Sequence, residues 1–258
     1  MDPPDIALAL ALFLVFVGAF SSLLNRVARF RRRARAAAIA VPSPCARRSV
    51  FVIVNPHAGS GDGRVVYEDV VKPMLDRGGV VHAVAFTAGP GHARIICEEV
   101  VTGRHDVDNV PFDCIVSVSG DGLLHECLNG VMHAKPRMAL AIVPAGSGNG
   151  VAETLYGRGS DAVVAMRAIL SGARREVDVL AMQPVSPAAG CLPIYDLHFF
   201  CWAVFADHDH LVEGPLRWIG PLAKLALAPL VVIARRRCYT GIVDFSPRPT
   251  PADLSPAR

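Results

Sequence analysis

The chain lacks most of the patterns that fix a function at sight. Its seven cysteines, at positions 45, 97, 114, 127, 191, 201 and 238, form no C-x-x-C pair. That spacing signals neither a zinc site nor a disulfide framework. Several of them sit inside apolar runs, where a free thiol behaves as a small core residue, which suits a reducing compartment. There is no G-x-x-x-x-G-K-[ST] stretch, which excludes a P-loop NTPase, and no acidic residue stands where a dinucleotide-binding unit needs one for the ribose. Charged residues make up only 19% of the chain, and the net charge of +3 is too small to argue for nucleic acid. No internal repeat is present.

One long stretch lacks charge altogether: "IALALALFLVFVGAFSSLL", Ile6 to Leu24. Its length approaches the roughly 20 residues that span a bilayer. Asp2 and Asp5 precede it, and Arg26, Arg29, Arg31, Arg32, Arg33 and Arg35 follow. A cleaved signal peptide has the opposite charge order. The positive-inside rule therefore predicts a retained N-terminal transmembrane helix, a single-pass membrane localisation, and everything after the arginines in the cytosol. The arginines would rest on anionic lipid head groups, making the membrane a partner.

What the chain does have is a series of apolar strands that end in glycine turns. "VPSPCARR" (41–48) reads as a linker. Phe51–Val54 reads as a strand, ended by Asn55-Pro56 and a loop bearing Gly59, Gly61 and Gly63, before a helix from about Val65 to Leu75. "VVHAVAFT" predicts a strand ending at Thr87, and "GHARIICEEVV" a helix from His92 to Val101. "CIVSVSGDGLLHECLNGV" gives a buried strand, a Ser-Gly-Asp-Gly turn and a helix whose apolar residues recur at helical spacing. "MALAIVPAGSGNGVAETL" repeats the pattern. Strands alternating with helices imply an α/β, Rossmann-like domain with a mostly parallel sheet.

After Val177 the texture changes. "REVDVLAM", "IYDLHFFCWAVFA" and "YTGIVDF" read as strands, and "LRWIGPLAKLALAPLVVIARRR" as an amphipathic or buried helix. The expected organisation is an anchor and basic linker over 1–48, a nucleotide-binding domain over 49–177, an incomplete β-rich lipid-binding domain over 178–247 and a disordered tail over 248–258.

The glycine turns face outward at the carboxyl ends of parallel strands, where ligands usually bind. Successive backbone N–H groups in such turns can surround phosphate oxygens. Three of them in one α/β region point to a nucleotide phosphate site. Asp121 would sit at its lip, although Asp is also a common helix cap. Glu126 likewise reads as a ligand residue or a first-turn helix acid, and Asn149 as a ligand residue or a turn cap. "ADHDH" (206–210) carries metal-ligand types, but neighbours in an extended chain point to opposite faces, so no metal site is expected there. Phe199, Phe200, Trp202 and Phe205 read as an acyl-chain pocket or as plain core.

Asn55-Pro56 with the glycines that follow, "SGDGLLHECLNG" (119–130), "PAGSGNGVA" (144–152) and "ADHD" (206–209) together resemble the diacylglycerol kinase-like lipid kinases, and among them most closely the sphingosine kinases. "TAGPGHAR" (87–94) and "LRWIG" (216–220) add to the likeness, which runs from about Ser49 to Pro247. The resemblance implies transfer of the γ-phosphoryl of ATP, with Mg²⁺, to a lipid hydroxyl. It places Asn55, His57, Gly59, Gly61, Thr87, Ser119, Gly120, Gly122, Glu126, Gly146, Ser147, Gly148, Asn149 and Arg217 around the nucleotide. Asp121 matches the acid at the reaction centre, and Asp209 the acid that holds the polar head of a sphingoid base. A carboxylate there pairs with the amine that ceramide and diacylglycerol lack, which favours a sphingoid base as substrate.

The chain also departs from the family. His57 and Ser60 stand where members often carry basic residues, and nothing after Asp244 resembles the family's returning Asp-Gly-Glu motif. Three other readings remain at this point: a ceramide or diacylglycerol kinase, a catalytically dead membrane-tethered binding module, and an unrelated dinucleotide-dependent oxidoreductase.

Overall fold

A computed structural model describes residues 26–40, 48–59, 62–104, 111–134, 138–184, 190–198, 200–214, 227–235 and 237–244. The chain divides into two units, Met1–His198 and Phe199–Arg258.

In the first unit, β1 (Ser49–Val54), β2 (Val81–Phe86), β3 (Cys114–Ser119) and β4 (Ala139–Pro144) form one parallel sheet in the order β2-β1-β3-β4. The strands are short apolar runs, and their alternate residues feed two cores. Phe51, Ile53 and Ile115 pack with α4 (His92–Val101) and α5 (Asp121–Ala134). Val50, Val52, Val54, Val116 and Val118 pack on the other face with Met74, Val163 and Met166. That second layer holds α2 (Gly63–Val66), a π-helical turn (Tyr67–Val71), α3 (Lys72–Arg77) and α7 (Ala162–Ser171). Between β4 and α7 runs the short α6 (Gly150–Tyr156).

The helix expected over 65–75 is therefore real but interrupted. Pro73 cannot donate to the carbonyl four residues back, and its ring crowds that carbonyl. The wide turn just before it relieves the clash.

The chain leaves β1 toward β2 on one side and reaches β3 on the other. The crevice between the carboxyl ends of β1 and β3 is thus the switch point of the sheet, the usual ligand site of such folds.

No helix among the described residues is long and apolar enough to cross a membrane. This corrects the expected transmembrane helix and the single-pass localisation built on it; residues 6–24 lie outside the described residues. The arginines that suggested a membrane-facing flank have another use. Residues 26–38 form a helix, α1. Arg29 bonds the Asp69 carboxylate at 3.0 Å and Arg33 at 2.8 Å. Arg35 pairs with Asp161, and Ala36 is buried in the sheet's second core. Three of the cations expected on lipid, Arg29, Arg33 and Arg35, are instead paired with carboxylates of the domain.

The strand expectation after Val177 holds only in part. β5 (Leu180–Met182) and β6 (Ile194–Asp196) form an antiparallel pair. The last three residues of "IYDLHFFCWAVFA" open α8 (Val204–Glu213), and residues 239–244 are not in a strand. A continuous apolar run carries no period, so it could not separate strand from helix. In the second unit α8 packs on α9 (Ala228–Arg235) through Leu211, Val212, Ala228 and Val232.

Candidate active site

Three loops meet at the carboxyl end of the sheet, and they touch backbone to backbone. A Cβ on Gly120 would lie 2.4 Å from the Gly148 carbonyl oxygen, and one on Gly146 would lie 2.4 Å from the Gly120 Cα. Gly59, at φ 57°, adopts a left-handed conformation, and a Cβ there would approach the Ala145 oxygen to 2.8 Å. Glycine is needed at these positions for close approach, whatever the ligand. The loops after β1, β3 and β4 form one platform.

Asn55 opens the first loop. Its side-chain oxygen accepts from the His57 N–H at 2.9 Å, an Asx turn. His57 is exposed at the tip. Ser119 and Thr87 are buried at the ends of β3 and β2, and their backbones extend the sheet: Thr87 donates to Val54 at 2.9 Å, and Ala145 donates to Ser119 at 3.0 Å.

The third loop is closed from within. Asn149 accepts from the Gly146 N–H at 3.2 Å and donates to the Gly146 carbonyl at 2.8 Å. Ser147 and Gly148 form its exposed tip. The Gly146 N–H, expected at a phosphate, is turned toward Asn149.

Asp121 is the first residue of α5. Its carboxylate accepts from the Gly150 N–H at 2.7 Å and the Val151 N–H at 3.1 Å. It therefore caps α6, a neighbouring helix, and satisfies two of its orphan donors. Each carboxylate oxygen retains a second acceptor position. One turn along, Glu126 accepts from Ala93 N–H at 3.2 Å, at the start of α4. Helix α5 thus fastens the helices on both sides with two carboxylates. Gly122 meets nothing within 4 Å and faces open space beside Asp121.

His198 belongs to no motif in the sequence. Its Nδ1 lies 3.9 Å from Asp121 Oδ2. A Cβ on Gly150 would sit 2.8 Å from the imidazole, so Gly150 makes room for the ring. The imidazole reaches the site from just beyond β6. Asn129 ties that strand to α5: it accepts from Tyr195 N–H at 2.9 Å and donates to Tyr195 O at 2.8 Å. His125 contacts Asp196 at 3.2 Å, a supporting position.

Of the remaining expected residues, Gly61 and Arg217 lie outside the described residues. Asp209 is exposed on α8 in the second unit, whereas its neighbour Asp207 pairs with Arg237 at 3.4 Å and with the Tyr239 hydroxyl. Phe200, Trp202 and Phe205 are exposed, so they are not core. No group of three or more metal-ligating side chains occurs among the described residues.

Residues 49–182 match the Diacylglycerol kinase catalytic domain family. Sphingosine kinase 1 of Arabidopsis thaliana is 29% identical over 210 residues, covering 78% of this chain and 40% of that protein. Sphingosine kinase 1 of Homo sapiens is 28% identical over 218 residues, covering 80% of this chain and 53% of that protein. The chain thus spans about half the length of these relatives, or less. A solved diacylglycerol kinase from Bacillus anthracis str. Sterne is 28% identical, over 52% of this chain and 45% of that one, with a TM-score of 0.42.

Proposed function

The chain belongs to the diacylglycerol kinase catalytic domain family, and from that premise we propose that it is an ATP-dependent lipid kinase acting on the primary hydroxyl of a sphingoid base. The observation that carries this reading is the platform of three glycine loops with Asp121 at its edge. The relatives named sphingosine kinases support the choice of lipid.

In this reading the triphosphate lies over the Asn55–Gly59 loop, the Ser119–Gly122 turn and the Gly146–Asn149 tip, where exposed backbone and the absence of side chains allow close approach. Thr87 and Glu126 flank the nucleotide. Asp121 faces the lipid hydroxyl. It takes the proton as the hydroxyl oxygen attacks the γ-phosphorus and ADP leaves. Its two hydrogen bonds to α6 hold the carboxylate in place, which matters because such transfer depends on alignment. Mg²⁺ would be held mainly by the phosphates with one or two carboxylates at most, and would neutralise phosphate charge. Asp209 pairs with the amine of the base, and Arg217 contacts phosphate.

The test is transfer of radiolabel from [γ-³²P]ATP to sphingosine, ceramide or diacylglycerol in mixed micelles. Label on sphingosine that is lost in Asp121→Asn and sharply reduced in Asp209→Asn supports the reading. Label on an uncharged lipid, indifferent to Asp209→Asn, overturns the sphingoid choice. No label on any lipid from folded protein overturns the kinase.

A further inference from the structure

The His198 Nδ1 lies 3.9 Å from Asp121 Oδ2. That gap is too long for a direct hydrogen bond, yet one oxygen atom about 2.8 Å from each partner can bond to both. The two side chains keep part of their surface exposed, 40% for His198 and 21% for Asp121, so a ligand oxygen can reach the gap.

Three features hold the imidazole at this spacing. Gly150 leaves the room it occupies, because a Cβ there would lie 2.8 Å from the ring's Cε1 and Nε2. The His198 N–H donates to Asp196 Oδ1 at 2.8 Å, while Asp196 Oδ2 lies 3.2 Å from His125 Nδ1 on α5. One turn along α5 from His125, Asn129 pairs with both the N–H and the carbonyl of Tyr195. The helix that carries Asp121 at its start thus also fixes the segment that carries His198. A fixed spacing is what a two-point grip on a reactant requires.

We propose that His198 Nδ1 and Asp121 Oδ2 together grip the acceptor hydroxyl, which makes His198 a second catalytic residue of the transfer. The proposal rests on the kinase reading above for the identity of the reaction. A ring nitrogen that faces a carboxylate oxygen carries its proton on that side, since an unprotonated one would set lone pair against lone pair. Nδ1–H therefore donates to one lone pair of the hydroxyl oxygen. The hydroxyl in turn donates to Asp121 Oδ2, which accepts from Gly150 and has one acceptor position left. The second lone pair of the hydroxyl oxygen is then aimed at the γ-phosphorus. As the new O–P bond forms, the hydroxyl proton passes to Asp121. The bond from the γ-phosphorus to the bridging oxygen breaks, and its electron pair leaves with ADP. His198 keeps its proton throughout, and its part is to orient the attacking oxygen.

The test is steady-state transfer from [γ-³²P]ATP by the full chain to whichever of sphingosine, ceramide and diacylglycerol accepts label. His198→Asn carries an amide nitrogen where Nδ1 stood and should keep kcat within about fivefold of the wild type. His198→Gln keeps the size and polarity of the side chain but carries its amide at the Nε2 position. It should lose about 100-fold in kcat, as should His198→Leu, with KM for ATP unchanged in both. A merely structural histidine would not sort Asn from Gln in this way. Gln or Leu variants as fast as the wild type, or an Asn variant as slow as the Leu one, overturn the grip.

If folded wild type labels no lipid, the kinase reading fails and binding decides the grip by itself. Calorimetry then compares sphingosine with 1-deoxysphingosine, which lacks only the primary hydroxyl. The preference for sphingosine, as a ratio of Kd values, should be about fivefold larger in the wild type and His198→Asn than in His198→Gln and His198→Leu. That difference upholds the grip. Equal ratios in all four proteins, or no binding of sphingosine, overturn it.

Discussion

The Asp121 carboxylate and the Gly150 N–H, 29 residues apart in sequence, meet at 2.7 Å and fix the start of α6 to the start of α5. Asp121 therefore has a structural duty beside its proposed chemical one, and substitutions should separate the two. Asp121→Ala orphans the N–H groups of Gly150 and Val151 and should cost about 1–2 kcal/mol. Asp121→Asn keeps one acceptor oxygen and should cost less, yet remove phosphate transfer as completely. Denaturant titration beside the radiolabel assay checks this. Loss of activity that merely tracks loss of stability would reduce Asp121 to a cap.

The two glycines that flank Asp121 should respond in opposite directions. Gly120→Ala drives a Cβ to 2.4 Å from the Gly148 oxygen. Both partners are backbone, so the loops must part, at a cost of about 3 kcal/mol. Gly122→Ala meets open space in the first turn of α5 and should be neutral or stabilising by up to about 1 kcal/mol. If Gly122→Ala nonetheless abolishes transfer, the space it fills belongs to a ligand. Thermal melts and ATP binding of both variants distinguish packing from ligand contact.

Much of this arrangement is legible in the chain. The runs "FVIV", "CIVSVS" and "ALAIVP" are apolar throughout because both faces of a parallel sheet are covered, and each leads into a glycine turn. That pattern alone puts Asn55, Asp121 and Gly146 at one end of the sheet. It could not show that Gly120 and Gly146 touch, since a long-range contact leaves no local period. His198 was invisible for the same reason: it reaches Asp121 from beyond β6, and the fit depends on the missing side chain of Gly150. Hydropathy misled at the N-terminal flank because it counts arginines without their partners. Arg29 and Arg33 read as membrane-facing cations until Asp69 is placed beneath them.

That ion triad makes an acid-sensitive latch. Asp69 has a fully buried side chain. Burial pushes its carboxyl up, but hydrogen bonds from Arg29 and Arg33 outweigh burial and hold it below its ordinary value. A carboxylate depressed in the folded state contributes stability that is complete above its unfolded value, near about 3.9, and lost as pH falls through the lower folded value. α1 should therefore stay docked from pH 7 to 5 and come loose below about pH 4. Limited pepsin cleavage across α1 as pH is lowered measures this. Replacing both arginines with Ala leaves a buried carboxylate without these partners and should lower Tm at pH 7 by roughly 4 °C.

Ala203 is the one described non-glycine residue with positive φ, at φ 60° and ψ −127°, immediately before α8. That conformation is essentially reserved for glycine, and holding a Cβ in it costs about 1–3 kcal/mol. Glycine would relieve the strain but would lose more freedom on folding, a cost of about 0.5–1 kcal/mol. The first effect is the larger, so Ala203→Gly should stabilise the second unit by about 1 kcal/mol, read as slower amide exchange along α8. A variant with faster exchange in α8 would show that the strain is not where the backbone angles place it.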